Sequence, residues 1–188
     1  MCNALLSSAH FRACHPADLS TIEALFVSVF SNSEGKQEGE LIGNLVRELT
    51  TITGSRDLYG FVAENQRKIV GAIFFSRLTF EQDTGLDVFI LSPVAVHTDH
   101  QGKGIGQALI THGLKEMKKK GVSIVTTYGD PAYYSKVGFH QLSQDVFKPP
   151  LELSQPRGWL GQSLTDAAIE VIPYRCTCVQ ALNNPVYW

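Results

Sequence analysis

Hydrophobic positions first fall at helical spacing between residues 15 and 30, where Pro16 and Asp18 open a stretch carrying Leu19, Ile22, Leu25, Phe26 and Val29. The spacing predicts an amphipathic helix. Leu41, Leu45 and Leu49 repeat it in "EGELIGNLVRELT", so a second helix is expected after the polar "SNSEGKQ", which reads as a linker or as a segment crossing a substrate cleft. The pattern then changes to strands. "LYGFVAEN" and "KIVGAIFFSRLTF", separated by a turn at Asn65 to Arg67, predict a hairpin, and "LDVFILSPVAV" a third, longer strand. Ile105, Ala108, Leu109 and Met117 mark one face of a helix that Gly121 ends. "VSIVTTY" follows as a short buried strand, and "DPAYYSKVGF" as a helix started by Asp130 and Pro131 and stopped at Gly138. "KPPLELSQPRGWLGQSL" reads as an irregular connection and "AIEVIPYRCTCVQAL" as a strand bent at Pro173. The expected fold is α/β, a mostly antiparallel mixed sheet with helices on both faces.

Composition narrows the classes. At 188 residues and 44% hydrophobic, the chain can bury one substantial core, so a single domain over residues 1–188 is expected. A formal net charge of -2 leaves no electrostatic footprint for nucleic acid. The basic cluster "KEMKKKG" falls where a helix ends, and cations there offset the helix dipole. Cys2, Cys14, Cys176 and Cys178 lack the C-x-x-C spacing of a zinc site, so no metal is expected and the thiols read as reduced. The opening "MCNALLSSAHFR" has neither a basic region nor an apolar run of signal-peptide length, and no stretch reaches the roughly 18 apolar residues of a membrane span. A cytoplasmic chain without membrane contact is the expectation.

The candidate chemistry begins at "HTDHQGKGIGQAL", which follows the apolar "FILSPVAV". A Walker loop is excluded, because no Gly-Lys-Ser/Thr triplet occurs, and the dinucleotide fingerprint fails at Gln107. What remains is Gln101-Gly102-Lys103-Gly104-Ile105-Gly106, a strand-loop-helix crossing. The first amides of a helix lack intrahelical acceptors and the dipole adds about half a positive charge, so such a crossing favours an anion such as a pyrophosphate. An ordinary tight turn has the same composition.

In context the segment "VAVHTDHQGKGIGQALI" resembles the acetyl-CoA-binding signature of the GCN5-related N-acetyltransferase (GNAT) superfamily, Gln/Arg-x-x-Gly-x-Gly/Ala after an apolar strand. "YYSKVGF" is similar to that family's Tyr-x-x-x-Gly-Phe helix and turn, and "GDPAYYSKVGF" resembles a bacterial subgroup of predicted acetyltransferases. The resemblance covers residues 10–145 or so, leaving a less diagnostic C-terminal strand region at 146–188. It implies that Val94 and Val96 pair through their backbones with the pantetheine arm of acetyl-CoA, the co-substrate, and that Gln101, Gly102, Lys103, Gly104, Ile105 and Gly106 hold its pyrophosphate. It also implies that the preceding strand splays from the next, and Ser92-Pro93 is a plausible place for a bulge.

Acetyl transfer to an amine requires a proton for the departing thiolate. A tyrosine hydroxyl of pKa about 10 is protonated at pH 7, and Tyr134 matches the family's general-acid tyrosine. Tyr133 points about 100° away along a helix. No motif selects a base among Glu64, Asp87, His97 and His100, while Lys103 and Lys136 are loop lysines within conceivable reach of CoA phosphates. Asp130 stands where the family often has asparagine and reads as a helix cap. With no cysteine in the signature segment, direct transfer is expected over an acetyl-enzyme. The expected partner is an amine-bearing small molecule or peptide, and a homodimer is left open. The alternative is a non-catalytic acyl-CoA sensor of the same fold.

Overall fold

The computed structural model describes residues 9–188. These fall into two compact units: the first runs to Phe74 and resumes over Pro93–Gly113, and the second holds Phe75–Ser92 and Leu114–Trp188. Among the described residues no helix is long and apolar enough to cross a membrane.

The first unit contains strand β1 (Ala9–Ala13), helices α1 (Leu19–Glu34) and α2 (Lys36–Ile52), strand β2 (Leu58–Asn65) and the opening of β3 (Lys68–Phe80). Its later segment holds the end of β4 (Val88–Val96) and the start of α3 (Ile105–Lys119). The β2–β3 hairpin has the expected bounds, because Gln66 and Arg67 adopt φ of 49° and 64°. Two consecutive left-handed residues are what a two-residue hairpin turn of matching twist requires. "SNSEGKQ" is no linker. Gly35 alone, at φ 102°, separates α1 from α2. The helices then pack closely through Gly39 and Gly43, where an added Cβ would lie 2.6 Å from the Val27 carbonyl oxygen and 2.4 Å from Val27 Cγ2. Ile22, Phe26, Leu45, Leu49 and Phe74 are buried in this unit, with the Phe26 and Phe74 rings 6.1 Å apart. Strand β1, not expected from the pattern, pairs antiparallel with β2 from Ala9↔Asn65 to Ala13↔Phe61.

The second unit holds the rest of β3, β4 and α3, then β5 (Ile124–Tyr128), α4 (Pro131–Tyr134), β6 (His140–Gln141), β7 (Trp159–Ser163) and β8 (Cys176–Cys178). Strand β4 is continuous across Ser92-Pro93, and its parallel register with β5 runs from Val88↔Ile124 to Leu91↔Thr127. The expected irregular connection contains β7, which pairs antiparallel with β5 and β6. Its Trp159 is buried against Phe147, rings 5.8 Å apart, and burial rather than alternation makes the strand. The expected long C-terminal strand is reduced to the three residues of β8, which pair with Leu78, Thr79 and Phe80 at the end of β3. Upstream of it, Ile172 instead donates its N–H to the Val146 carbonyl, 2.7 Å away, so that stretch follows a loop. The strand order is β1-β2-β3-β4-β5-β7-β6, with β8 on β3; β4 and β5 run parallel, while β1–β2, β3–β8, β5–β7 and β6–β7 are antiparallel. The fold is thus α/β with a mixed, mostly antiparallel sheet.

Candidate active site

In the first unit, the glycine loop is held by its own side chains. His97 donates its N–H to the Val70 carbonyl at 2.8 Å, so residue 97 faces β3. Backbone groups alternate in direction along a strand, so the amide and carbonyl of Val96 and Val94 face the other way. That is the orientation a pantetheine arm would need, although the Val96 carbonyl already accepts a bond from Gln101 Nε2 at 2.9 Å. Lys103 folds back to donate to the Asp99 carbonyl. Gln101 and Lys103 therefore brace the loop through their side chains.

Gly102 and Gly104 adopt φ of 69° and 81°, a region that side-chain-bearing residues reach only with strain. The chain then enters α3, whose first turn closes when Ala108 donates to the Gly104 carbonyl at 3.0 Å. The amides of Ile105, Gly106 and Gln107 precede that bond and have no acceptor within the helix. Gly106 and Ile105 are buried, which fixes the start of the helix. Of the residues singled out in the sequence, the structure brings Val94, Val96 and Gln101 to Gly106 into this one unit.

In the second unit, Tyr134 closes the four-residue α4, which Asp130 caps by accepting the Ala132 N–H at 2.9 Å. Gly138, at φ 92°, ends the turn, and Phe139 N–H reaches back to the Tyr134 carbonyl at 3.2 Å. The Tyr134 ring meets Phe139 edge-on at 5.8 Å and Tyr133 at 5.1 Å. Its edge also lies against the backbone of Gly129, where an added Cβ would stand 2.7 Å from Cε2. Burial pushes the Tyr134 hydroxyl up to about 12, with the nearby Thr127 hydroxyl acting in the opposite sense. Burial raises Tyr133 as well. The close approach of Gly129 to the Tyr134 ring was not visible beforehand, since a glycine before a helix cap is ordinary in sequence.

The base candidates separate on contact. Glu64 pairs with Arg12, which also holds Asp18 at 2.6 Å, and Asp87 pairs with Arg77. His97 Nδ1 accepts the Asp99 N–H at 3.3 Å. His100 differs: its Nδ1 is buried without a hydrogen-bond partner among the described residues. Burial, then Lys103 and His97, holds its pKa below the usual value, which favours the neutral ring. Burial also pushes the Cys14 and Cys176 thiols up to about 12 and Cys178 to about 11, leaving them protonated and poorly nucleophilic. Cys2 lies outside the described residues.

Residues 56–141 match the acetyltransferase (GNAT) domain. The uncharacterized N-acetyltransferase YjhQ of Escherichia coli K12 is 31% identical over 160 residues, which cover 82% of this chain and 84% of that protein. The uncharacterized N-acetyltransferase YhbS of the same strain is 32% identical over 125 residues, 66% of this chain and 69% of that one. The fold is shared with the crystal structure of E. coli YhbS in complex with CoA, at a TM-score of 0.81 and 24% identity over 94% of this chain and 93% of that one. A GNAT acetyltransferase from Brucella melitensis in complex with acetyl-CoA matches with a TM-score of 0.67 and 23% identity, over 92% and 97% of the two chains. With a relative this similar along most of both lengths, and with the glycine loop and tyrosine turn where the family pattern calls for them, the chain belongs to the GNAT family of N-acetyltransferases.

Proposed function

We propose that this protein works as one N-acetyltransferase domain that transfers the acetyl group of acetyl-CoA directly to a primary amine. The observation that carries the reading is the loop Gln101–Gly106, with two left-handed glycines leading into the first amides of a 15-residue helix, which have no acceptor within it. An L-residue at Gly102 or Gly104 would be strained whatever space it had. The loop's side chains are occupied internally, so its remaining offer to a ligand is backbone N–H groups and the positive end of a helix dipole. That combination suits the pyrophosphate of CoA, and the relatives crystallised with CoA and acetyl-CoA support the same co-substrate.

In this reading the Val94 and Val96 backbones align the pantetheine arm, and the Tyr134 hydroxyl donates toward the sulfur as the C–S bond breaks. A phenol of pKa about 12 is fully protonated at pH 7. It is also a weak acid toward a thiolate of pKa about 8.5, so complete transfer would be uphill unless the phenolate is stabilised as it forms. The acceptor amine loses one proton and the CoA sulfur gains one, so no oxidant or reductant is involved. Thiols protonated to pH 11–12 favour this direct route over an acetyl-cysteine.

The test is release of free CoA from acetyl-CoA across a panel of primary amines, beside calorimetric titration of acetyl-CoA alone. Binding with amine-dependent release supports the reading. Binding without turnover of any amine would mark a sensor, and absence of binding would remove CoA from the loop.

A further inference from the structure

Where the chain leaves the tyrosine turn, the second unit opens a cleft of about 400 Å³, walled by Gln141–Gln144 on one side and by Pro156 and Arg157 on the other. Both walls are fixed close to the turn. Strand β6 follows it directly, and Leu142 donates its N–H to the Trp159 carbonyl at 2.9 Å. The opposite wall is tied to the end of β5: Gln155 donates its N–H to the Tyr128 hydroxyl at 2.7 Å, that hydroxyl bonds Ser154 at 2.8 Å, and Gly129 donates to the Gly158 carbonyl at 3.0 Å. Gly129 and Gly158 meet as bare backbones, since a Cβ built on Gly158 would stand 3.1 Å from the Gly129 carbonyl oxygen. The first of these glycines has the Tyr134 ring edge against it, and the second follows Arg157 in the chain.

The lining carries one sign of charge. Arg157 is its charged side chain, and Gln141, Ser143 and Gln144 add neutral polar groups. Arg12, Arg47 and Arg77 are each held by a carboxylate, whereas Arg157 makes no ion pair among the described residues. Asp145, two residues beyond Ser143, accepts that serine's hydroxyl at 3.2 Å and lines a neighbouring cleft of about 620 Å³. The larger cleft holds Glu81 and Asp145 together with Lys148 and Arg175, so it selects neither sign. A guanidinium with uncommitted donors beside primary amides suits a planar carboxylate, which it grips through two parallel bonds. A phosphate carries about 1.5 to 2 charges, and one arginine leaves part of that uncompensated. We propose that the acceptor amine also bears a carboxylate, and that Arg157 is the residue that selects it. The inference rests on the tyrosine turn being the place of acetyl transfer. The amine is presented at the turn while its carboxylate stays in the cleft, so Arg157 touches the acceptor without taking part in bond making. The acceptor class so defined is the amino acids, with the separation of amine from carboxylate set by the span from cleft to turn.

The experiment follows turnover of acetyl-CoA with matched pairs of amines, each an amino acid and its carboxamide, over a ladder of growing separation between amine and carboxylate. Calorimetric acetyl-CoA affinity is measured beside it as the check on folding. For the best-fitting pair, kcat/KM of the acid should exceed that of the amide about tenfold, the effect of a hydrogen-bonded charge at an exposed site. Arg157→Gln should remove the preference by raising KM for the acid with kcat little changed, bringing acid and amide within about twofold of each other. Arg157→Lys, which keeps the charge and loses the fork, should recover part of it. In both variants acetyl-CoA affinity should stay within about twofold. Equal turnover of acid and amide by the wild type, an equal loss for both in Arg157→Gln, or preference for an aminoalkyl phosphate over the matching acid would overturn the carboxylate assignment and leave acetyl transfer standing. A loss of acetyl-CoA affinity in Arg157→Gln would overturn it too, by giving the cleft to the coenzyme. If no amine turns over, the acetyl-transfer reading falls, and the same pairs titrated onto protein saturated with acetyl-CoA decide the cleft by itself. Tighter binding of the acid, abolished in Arg157→Gln, supports the carboxylate site, and equal binding of acid and amide overturns it.

Discussion

The glycine loop and the tyrosine turn both follow a strand and both lead into a helix, yet they hold their chemistry in different atoms. On the proposed function, the groups that Gln101–Gly106 offers are backbone amides, and the polar side chains Gln101 and Lys103 brace the loop through the carbonyls of Val96 and Asp99. At Gly129–Tyr134 the group that reading uses is one side-chain hydroxyl, and the bare backbone of Gly129 leaves room for its ring. A site made of backbone depends on φ and tolerates most side chains. One made of a single hydroxyl depends on every contact that aims it.

The largest expected effect is at the turn. Tyr134→Phe keeps the ring against Phe139 and deletes the donor, so kcat should fall roughly 100-fold or more, with acetyl-CoA affinity by calorimetry nearly unchanged. Tyr133→Phe should be close to normal; the reverse result would reassign the acid.

At the loop, Gly104→Asp combines strain at φ 81° with a negative charge beside a pyrophosphate. Acetyl-CoA affinity should drop at least about tenfold, or about 1.4 kcal/mol, in the same calorimetry. Gly104→Ala, with the strain alone, should lose less. Equal losses would mean that conformation and not charge governs the loop.

Gly129→Ala sharpens the contrast from the other side. Its methyl group would meet the Tyr134 ring edge at 2.7 Å and displace it. Turnover should fall roughly tenfold through misplacement of the acid, without the loss of acetyl-CoA binding that marks loop variants.

A smaller effect appears in stability against pH. Folding raises Tyr134 from the ordinary value near 10 to about 12, so the native state binds more protons than the unfolded chain between those values. The stabilisation is complete below pH 10 and is lost as pH rises toward 12. Urea midpoints at pH 9 and pH 11 should therefore converge more for Tyr134→Phe than for the wild type.

The smallest effect is expected from the cysteines. With Cys2, Cys14, Cys176 and Cys178 all replaced by Ser or Ala, kcat of the folded protein should stay within about twofold, since a one-step transfer asks nothing of a thiol. An acetylated cysteine that turns over with amine would replace the direct mechanism.

Much of the fold was legible where one physical requirement acts locally. The β2–β3 hairpin followed from two apolar runs around Gln66–Arg67, and α3 from its apolar face between a glycine loop and Gly121. Strands whose existence depends on a distant partner were not. β1 is five residues that hydrogen-bond along β2, and β7 is a short run, Trp159 to Ser163, with a glycine inside it. Residues 168–175 show the converse, an apolar stretch that forms no strand because its Ile172 N–H is taken by the Val146 carbonyl of a loop.

By itself the sequence determined the loop of Gln101–Gly106, because left-handed φ and helix-terminal amides are properties of consecutive residues and leave a glycine pattern that can be read in order. It also placed Tyr134 one turn before Gly138. Tertiary structure alone decided that Gln101 and Lys103 brace their own loop, and which carboxylates are consumed by ion pairs, as Glu64 is by Arg12 and Asp87 by Arg77. It also decided the burial that keeps Tyr134 protonated and the close approach of its ring to Phe139 and to the bare backbone of Gly129. Dihedral preference is a short-range property of the chain, whereas desolvation and hydrogen-bond direction exist only once separate segments have met.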